Sequence, residues 1–468
     1  MACCNTDKTG ENMADIFDYL DFRSDLSFQV SPFNEVDNYI ICKIGSYDFS
    51  GIVGEGPEPV PIKEALEKYY ERYGEKGDYL GLLAARTVAD VVKRLPETER
   101  FRDLRLSGYV SILDSEDTEQ FSALTVTLPD GTNYVSFRGT DDTLLAWKEN
   151  FLMSVEKEIP AQRDALNYLK RAAETYEGPL IVGGHSKGGN MSVFASSFAP
   201  EEVQDRIKAV YSNDGPGFYP EFIKEPGYLR IRPKLHVILP TTSIVGTLLT
   251  QDEGLEIVEC DKLGVSSHDG FRWHVKGTSF VRSEKLSRSS EAYENGMQAV
   301  LNEMSIEERR AFLDEFFEAF AQTGAVTLTD LNEHRIRQAA RLLRSFSRSS
   351  EAKRFALAVT EQMLKELMPD NPVIPVALGA AEKAAGAAEW AGKAAGWAAG
   401  KAAEAAEKAA GWASEKAADF AAARAEGEPG FGRVVRASGP RVVKRGRRAE
   451  KKSGGAPKGA EAPILKKS

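Results

Sequence analysis

Residues 179–198 constrain the fold most. Pro179-Leu-Ile-Val-Gly183 is a short continuous apolar run of strand length, and Met191–Phe198 is an apolar helical run. Between them lies Gly184-His185-Ser186-Lys187-Gly188. A strand that becomes a helix within a few residues holds the serine in a strained conformation, and flanking glycines let the two backbones approach. The helix N-terminus then lies beneath the hydroxyl, where its N–H groups and dipole favour a developing negative charge. In a chain with 40 glycines the G-x-S-x-G pattern alone is weak, and the strand before it and the helix after it give it meaning. Together they predict a nucleophile elbow with Ser186 at its apex and Gly184 and Gly188 as its glycines.

The surroundings fit a sheet. Runs at 105–113, 121–128 and 133–138 are β-branched and aromatic, the last two joined by Pro129-Asp-Gly-Thr132, a hairpin signal. Ile207–Ser212, Leu235–Leu239 and Leu255–Glu259 are further short strands, and 160–176 is an amphipathic helix. Continuous apolar strands alternating with helices predict a buried, largely parallel sheet of the α/β class. Earlier, an amphipathic helix is expected around Asn34–Ile44, and 61–95 gives two helices broken at Gly74-Glu-Lys-Gly77. Beyond about residue 280 the pattern is helical, with Ser305-Ile-Glu-Glu308 as a capping box.

A serine hydroxyl needs a base, and the chain has five histidines. His185 sits inside the elbow, facing away from the serine. His236 lies mid-strand and His334 in the C-terminal helical region, while His274 is expected in an extended segment. His268, in Ser266-Ser-His-Asp-Gly270 beyond the last strand, is the favoured base. The acid that orients it is Asp214, at the carboxyl edge of the sheet, or its rival Asp252. The backbone N–H groups of Lys187 and Thr140 are the candidate oxyanion donors, Thr140 because Phe137-Arg-Gly-Thr140 ends a strand. Arg138 is expected to brace that loop through an acidic neighbour.

These residues resemble a family. FRGT, Trp147-Lys-Glu-Asn-Phe151, and Leu180-Ile-Val-Gly-Gly-His-Ser-Lys-Gly-Gly189 look like the class 3 (fungal-type) lipases. The opening DYLDFRSDLSF…SPFNEVDN at 18–38 is more closely similar to a bacterial family of lipase-like α/β-hydrolases. The resemblance implies an α/β-hydrolase fold with Ser186 as nucleophile, His268 as base and Thr140 in the oxyanion loop. It also implies a small-molecule or lipid ester as substrate. Two departures stand out. Class 3 lipases carry the acid just after the next sheet strand, and the matching stretch here, Pro240–Gly246, has no carboxylate. Asp214 or Asp252 then supplies it, or the site is a non-catalytic scaffold. Lys187 replaces a small or apolar residue, which predicts a more polar elbow surface and a smaller or polar acyl substrate.

The expected organisation is a disordered lead over 1–13, a hydrolase-like domain over 14–280 carrying the chemistry, and a helical extension over 281–368. An Ala-rich helix over 377–425, with Trp390, Trp397 and Trp412 on one stripe, and a disordered tail over 427–468 follow. Residues 433–468 hold twelve Lys or Arg against two Glu, a net of +10, so the rest of a chain of net charge −10 carries −20. Residues 377–468 read either as a solubilising tail or as a peripheral membrane contact, and no specific nucleic-acid partner is expected. Four cysteines without CxxC spacing fit a reducing, cytoplasmic setting. No phosphate loop, dinucleotide fingerprint or metal-ligand cluster is visible, so no cofactor or metal is expected. The sequence carries no signal for oligomeric state.

Overall fold

The computed structural model of the protein describes residues 13–321, apart from 79, 81–85, 142 and 263. The lead up to residue 12, the part of the expected helical extension beyond residue 321, the Ala-rich segment over 377–425 and the basic tail over 427–468 lie outside the described residues.

The core is an eight-stranded sheet in sequential order. Its strands are β1 (Val60–Pro61), β2 (Arg105–Asp114), β3 (Glu119–Thr127), β4 (Asn133–Phe137), β5 (Leu180–His185), β6 (Ile207–Asn213), β7 (Leu235–Pro240) and β8 (Glu256–Val258). β1 to β4 pair antiparallel, and β4 to β8 pair parallel. The tight turn at Pro129–Thr132 permits the antiparallel half, whereas each parallel step needs a long crossover. β2 carries a bulge between Ser107 and Val110, where Gly108 takes φ 65°.

Two apolar layers cover the sheet. One face packs under α1 (Ile16–Arg23), α2 (Glu35–Ile44), α3 (Ile62–Tyr73) and α4 (Arg86–Val92), with Tyr39, Phe49 and Trp273 fully buried. The other packs under α5 (Leu144–Leu152), α6 (Pro160–Thr175), α7 (Lys187–Phe198), α8 (Glu201–Arg206) and α9 (Pro226–Ile231), around Phe137, Phe194 and Phe222. Asn34 caps α2 by accepting from the N–H groups of Val36 and Asp37, and the Asp37 carboxylate accepts from the N–H of Asn34 in return. Asp37 also pairs with Arg100, whose remaining N–H groups donate to the carbonyls of Leu26, Ser31 and Pro32. This fully buried pair is compensated on both sides and pins the N-terminal loop to α2.

α10 (Arg288–Glu303) and α11 (Ile306–Ala321) follow, the latter opened by the Ser305–Glu308 capping box. They are held to the sheet's upper edge at several points. The Ser290 hydroxyl donates to the Ser243 carbonyl, Gln298 Nε2 donates to the Leu249 carbonyl at 2.9 Å, and Phe317 meets Phe151 edge-on at 5.8 Å.

Candidate active site

β5 (Leu180–His185), paired on both sides, ends just before Ser186, and α7 starts at Lys187. Between them Ser186 has φ 59° and ψ −129°, a region that costs an L-residue energy and that the surrounding structure must enforce. The enforcement is visible. Ser186 donates its N–H to the Asn213 carbonyl at 2.9 Å and accepts from the Gly189 N–H at 2.9 Å. A Cβ on Gly184 would lie 2.4 Å from the Gly188 backbone, and one on Gly188 would lie 2.1 Å from the Phe137 carbonyl oxygen. Both positions therefore require glycine.

Asp214 follows β6 in the left-handed region, φ 48°, which Asp tolerates better than most residues. Its carboxylate is fully buried and fully used. Oδ2 accepts from His268 Nδ1 at 2.6 Å, while Oδ1 accepts from the Ser243 hydroxyl at 2.5 Å and the Gly246 N–H at 3.1 Å. Asp252 is placed elsewhere, bonded to Arg232 Nε at 2.6 Å and to the Tyr228 hydroxyl at 3.1 Å. The Pro240–Gly246 turn, which lacks a carboxylate, thus supplies donors to one.

The loop that carries His268 is braced around it. Trp273 Nε1 donates to the Ser267 carbonyl at 2.9 Å, Ser267 Oγ to the Thr242 carbonyl at 3.1 Å, and the Gly270 N–H to the Tyr39 hydroxyl at 2.8 Å. His236 is bonded to Glu256 at 2.7 Å on β7 and β8, and His274 lies 2.9 Å from Asp261 just before a short extended pair.

His185 departs from expectation. Its ring lies 4.2 Å from that of His268, and its Nε2 bonds the His268 carbonyl at 2.7 Å. Burial, then the nearby Lys43 charge, then His268 hold its pKa well below the usual histidine value, so it is neutral and Nε2–H is the donor. Its position between strand and serine hid this contact, because the partner lies 83 residues on.

Lys187 requires a correction. Its side chain does not make the elbow surface polar: it is fully buried, with Nζ donating to the Gln120 carbonyl at 2.6 Å and to Glu149 at 2.8 Å. Glu149, on α5, also accepts from the N–H groups of Gln120 and Ala161, so both charges are compensated. Only the Lys187 backbone N–H remains at the elbow. Arg138 is the second correction. Among the described residues it has no acidic partner, and it lines the cavity instead. Thr140 lines it too, its hydroxyl accepting from Asn150 Nδ2 at 2.6 Å. The loop after β4 is drawn tightly to the turn between β5 and α7, since a Cβ on Gly139 would lie 2.6 Å from the His185 carbonyl oxygen.

The cavity has a volume of about 200 Å³ and reaches Ser186 and His268. Its walls are mainly apolar: Phe137, Trp147 and Phe151 on one side, Val245, Leu248 and Leu249 on another. Met297, Met304, Arg309 and Leu313 complete it, so the site extends past residue 280 into α10 and α11. Among the described residues no group of His, Cys, Asp and Glu could hold a metal ion, and no helix is long and apolar enough to cross a membrane.

A parallel-strand half-sheet with a serine at the sharp turn between its β5 and α7 defines an α/β-hydrolase fold. The model of a family described as Mbeg1-like matches residues 95–318. Two solved structures are similar to the chain at low identity. The Rhizomucor miehei lipase propeptide complex shares 16% identity, over 34% of this chain and 58% of that one, with a TM-score of 0.25. The match thus spans little more than half of that lipase. A lipase from Rhizopus microsporus var. chinensis shares 15% identity, over 43% of this chain and 72% of that one, with a TM-score of 0.27. A search of the curated proteins finds no significant match.

Proposed function

We propose that the protein is a serine hydrolase that cleaves carboxylic esters through Ser186, His268 and Asp214. The observation that carries this reading is the 2.6 Å bond from His268 Nδ1 to a buried carboxylate, beside a cavity that also holds the strained Ser186. With Nδ1 donating to Asp214, His268 keeps Nε2 free to accept the Ser186 proton. The serine oxygen attacks the ester carbonyl, and the N–H groups of Lys187 and Thr140 hold the tetrahedral oxyanion. His268 then protonates the departing alcohol, and water releases the acyl group by the reverse sequence.

The apolar walls favour an acyl chain lodged between Phe151, Leu248 and Met304. The alternative, a scaffold with an incomplete triad, loses its support once Asp214 rather than the Pro240–Gly246 turn faces His268. A fluorophosphonate probe tests the reading: it is expected to label the wild-type protein and to spare Ser186→Ala. Equal labelling of both, or none of the folded wild type, overturns it.

A further inference from the structure

The cavity holds a charged group that the ester chemistry does not use. Lys43, near the C-terminal end of α2, is only 9% exposed and lines the cavity together with His185 and Ser186. Its Nζ sits 5.1 Å from the Tyr39 ring centre and, among the described residues, makes no hydrogen bond and no ion pair. The Asp269 carboxylate favours the charged form from beyond ion-pair distance, but a buried ammonium without a bonded counter-charge is costly, and such groups are normally paired. Burial lowers its pKa, so the protein holds this cation against a penalty that an incoming anion would relieve.

Arg138 lines the same cavity and likewise has no acidic partner among the described residues. It follows Phe137 at the end of β4, which is stitched to α2 where Ser136 Oγ donates to the Cys42 carbonyl at 3.2 Å. Among the described residues the one carboxylate lining the cavity is Asp141, and its Oδ1 is taken by the Thr143 N–H and hydroxyl. Apolar surface gathers on the side built by α5, α10 and α11, and two cations without a bonded carboxylate among the described residues stand just after β4 and on α2.

We infer that Lys43, assisted by Arg138, is a specificity determinant that binds an anionic group of the substrate, so that the preferred ester is amphiphilic, with an apolar acyl or alcohol part and a carboxylate or phosphate. This rests on the hydrolase reading for turnover but not for binding. Compact charged groups placed in a mostly apolar cavity fix orientation as well as affinity.

The test compares matched esters. For an anion on the acyl side, mono-4-nitrophenyl glutarate is set against its methyl-capped diester. For one on the alcohol side, butyryl glycerol 3-phosphate is set against monobutyrin. Wild-type kcat/KM is expected to favour one charged member at least tenfold, and which one identifies the source of the anion. Lys43→Met should abolish that preference, read as the ratio of kcat/KM on the charged and neutral members, while Lys43→Arg retains it. In parallel, glutarate and glycerol 3-phosphate are titrated calorimetrically into Ser186→Ala, with and without Lys43→Met. Anion binding that Lys43→Met removes supports the inference even if no ester turns over, an outcome that would count against the hydrolase reading alone. Equal rates on charged and neutral esters, or anion binding unchanged by Lys43→Met, overturns it.

Discussion

The carboxylate of Asp214 and the hydroxyl of Ser243 meet at 2.5 Å, although they follow two different strands, β6 and β7. The proposed acid stands one strand earlier than the resemblance to class 3 lipases implies, and the turn after β7 holds it by Ser243 Oγ and the Gly246 N–H. A Cβ on Gly246 would lie 2.4 Å from Asp214 Oδ1, so a glycine is needed for the turn to close on the carboxylate. Consecutive parallel strands end side by side, which is why a carboxylate can serve the same histidine from either one.

Ser243→Ala should therefore lower kcat on a neutral 4-nitrophenyl ester by about tenfold to a hundredfold, the worth of one hydrogen bond to a charged group. Asp214→Asn should cost about 10⁴-fold, as removal of the orienting charge does in a Ser-His-Asp site. A wild-type rate in Ser243→Ala would show that the Gly246 N–H suffices.

The backbone at Ser186 makes a prediction of opposite sign for stability. At φ 59° a serine is strained and a glycine is not. Ser186→Gly should raise stability by about 1 kcal/mol, roughly 2 °C in melting temperature, while removing all probe labelling. A lower melting temperature would mean that the side chain contributes more to packing than the backbone costs.

How much of this was legible in the sequence follows from how local each feature is. The sharp turn from β5 through Ser186 into α7 is contained in twenty residues, so apolar runs and two glycines sufficed to locate it. His268 stood out because few histidines follow the last strand. Asp214 and Asp252 were indistinguishable, since each follows an apolar run near the sheet edge; only the φ of 48° at Asp214 and its bond to the β7 backbone, Asp214 N–H to Ile238 O at 2.8 Å, turn it towards His268. Lys187 misled because a lysine after the serine reads as a polar surface, while its partner Glu149 lies 38 residues earlier. α10 and α11 were legible as helices, but amphipathicity reveals that a face is covered, not what it covers.

The Lys187–Glu149 pair gives a non-additive prediction. With both side chains fully buried, Lys187→Met leaves an uncompensated carboxylate and Glu149→Gln an uncompensated ammonium. Each single variant should lose about 3–5 kcal/mol by urea unfolding, and the double variant clearly less than the sum. Additive losses would mean that the two groups act independently, with Gln120 rather than the ion pair carrying the interaction.

His185 makes stability pH-dependent with a definite sign. Its folded pKa is held well below the ordinary histidine value of 6.5, whereas in the unfolded chain it titrates near that value. Above about pH 6.5 neither state is protonated and the native contact to His268 contributes in full. As pH falls below that, the unfolded chain takes up a proton that the native ring refuses, and stability drops by up to about 1.4 kcal/mol per unit until the folded pKa is reached. His185→Asn keeps a donor for the His268 carbonyl and removes the titration. Between pH 6.5 and 5 the wild type should lose stability more steeply than this variant, by up to one proton's slope, when urea midpoints are compared. Parallel pH profiles would show that His185 is protonated in the native state as readily as in the unfolded one, and that its contact to the His268 carbonyl does not depend on a neutral ring.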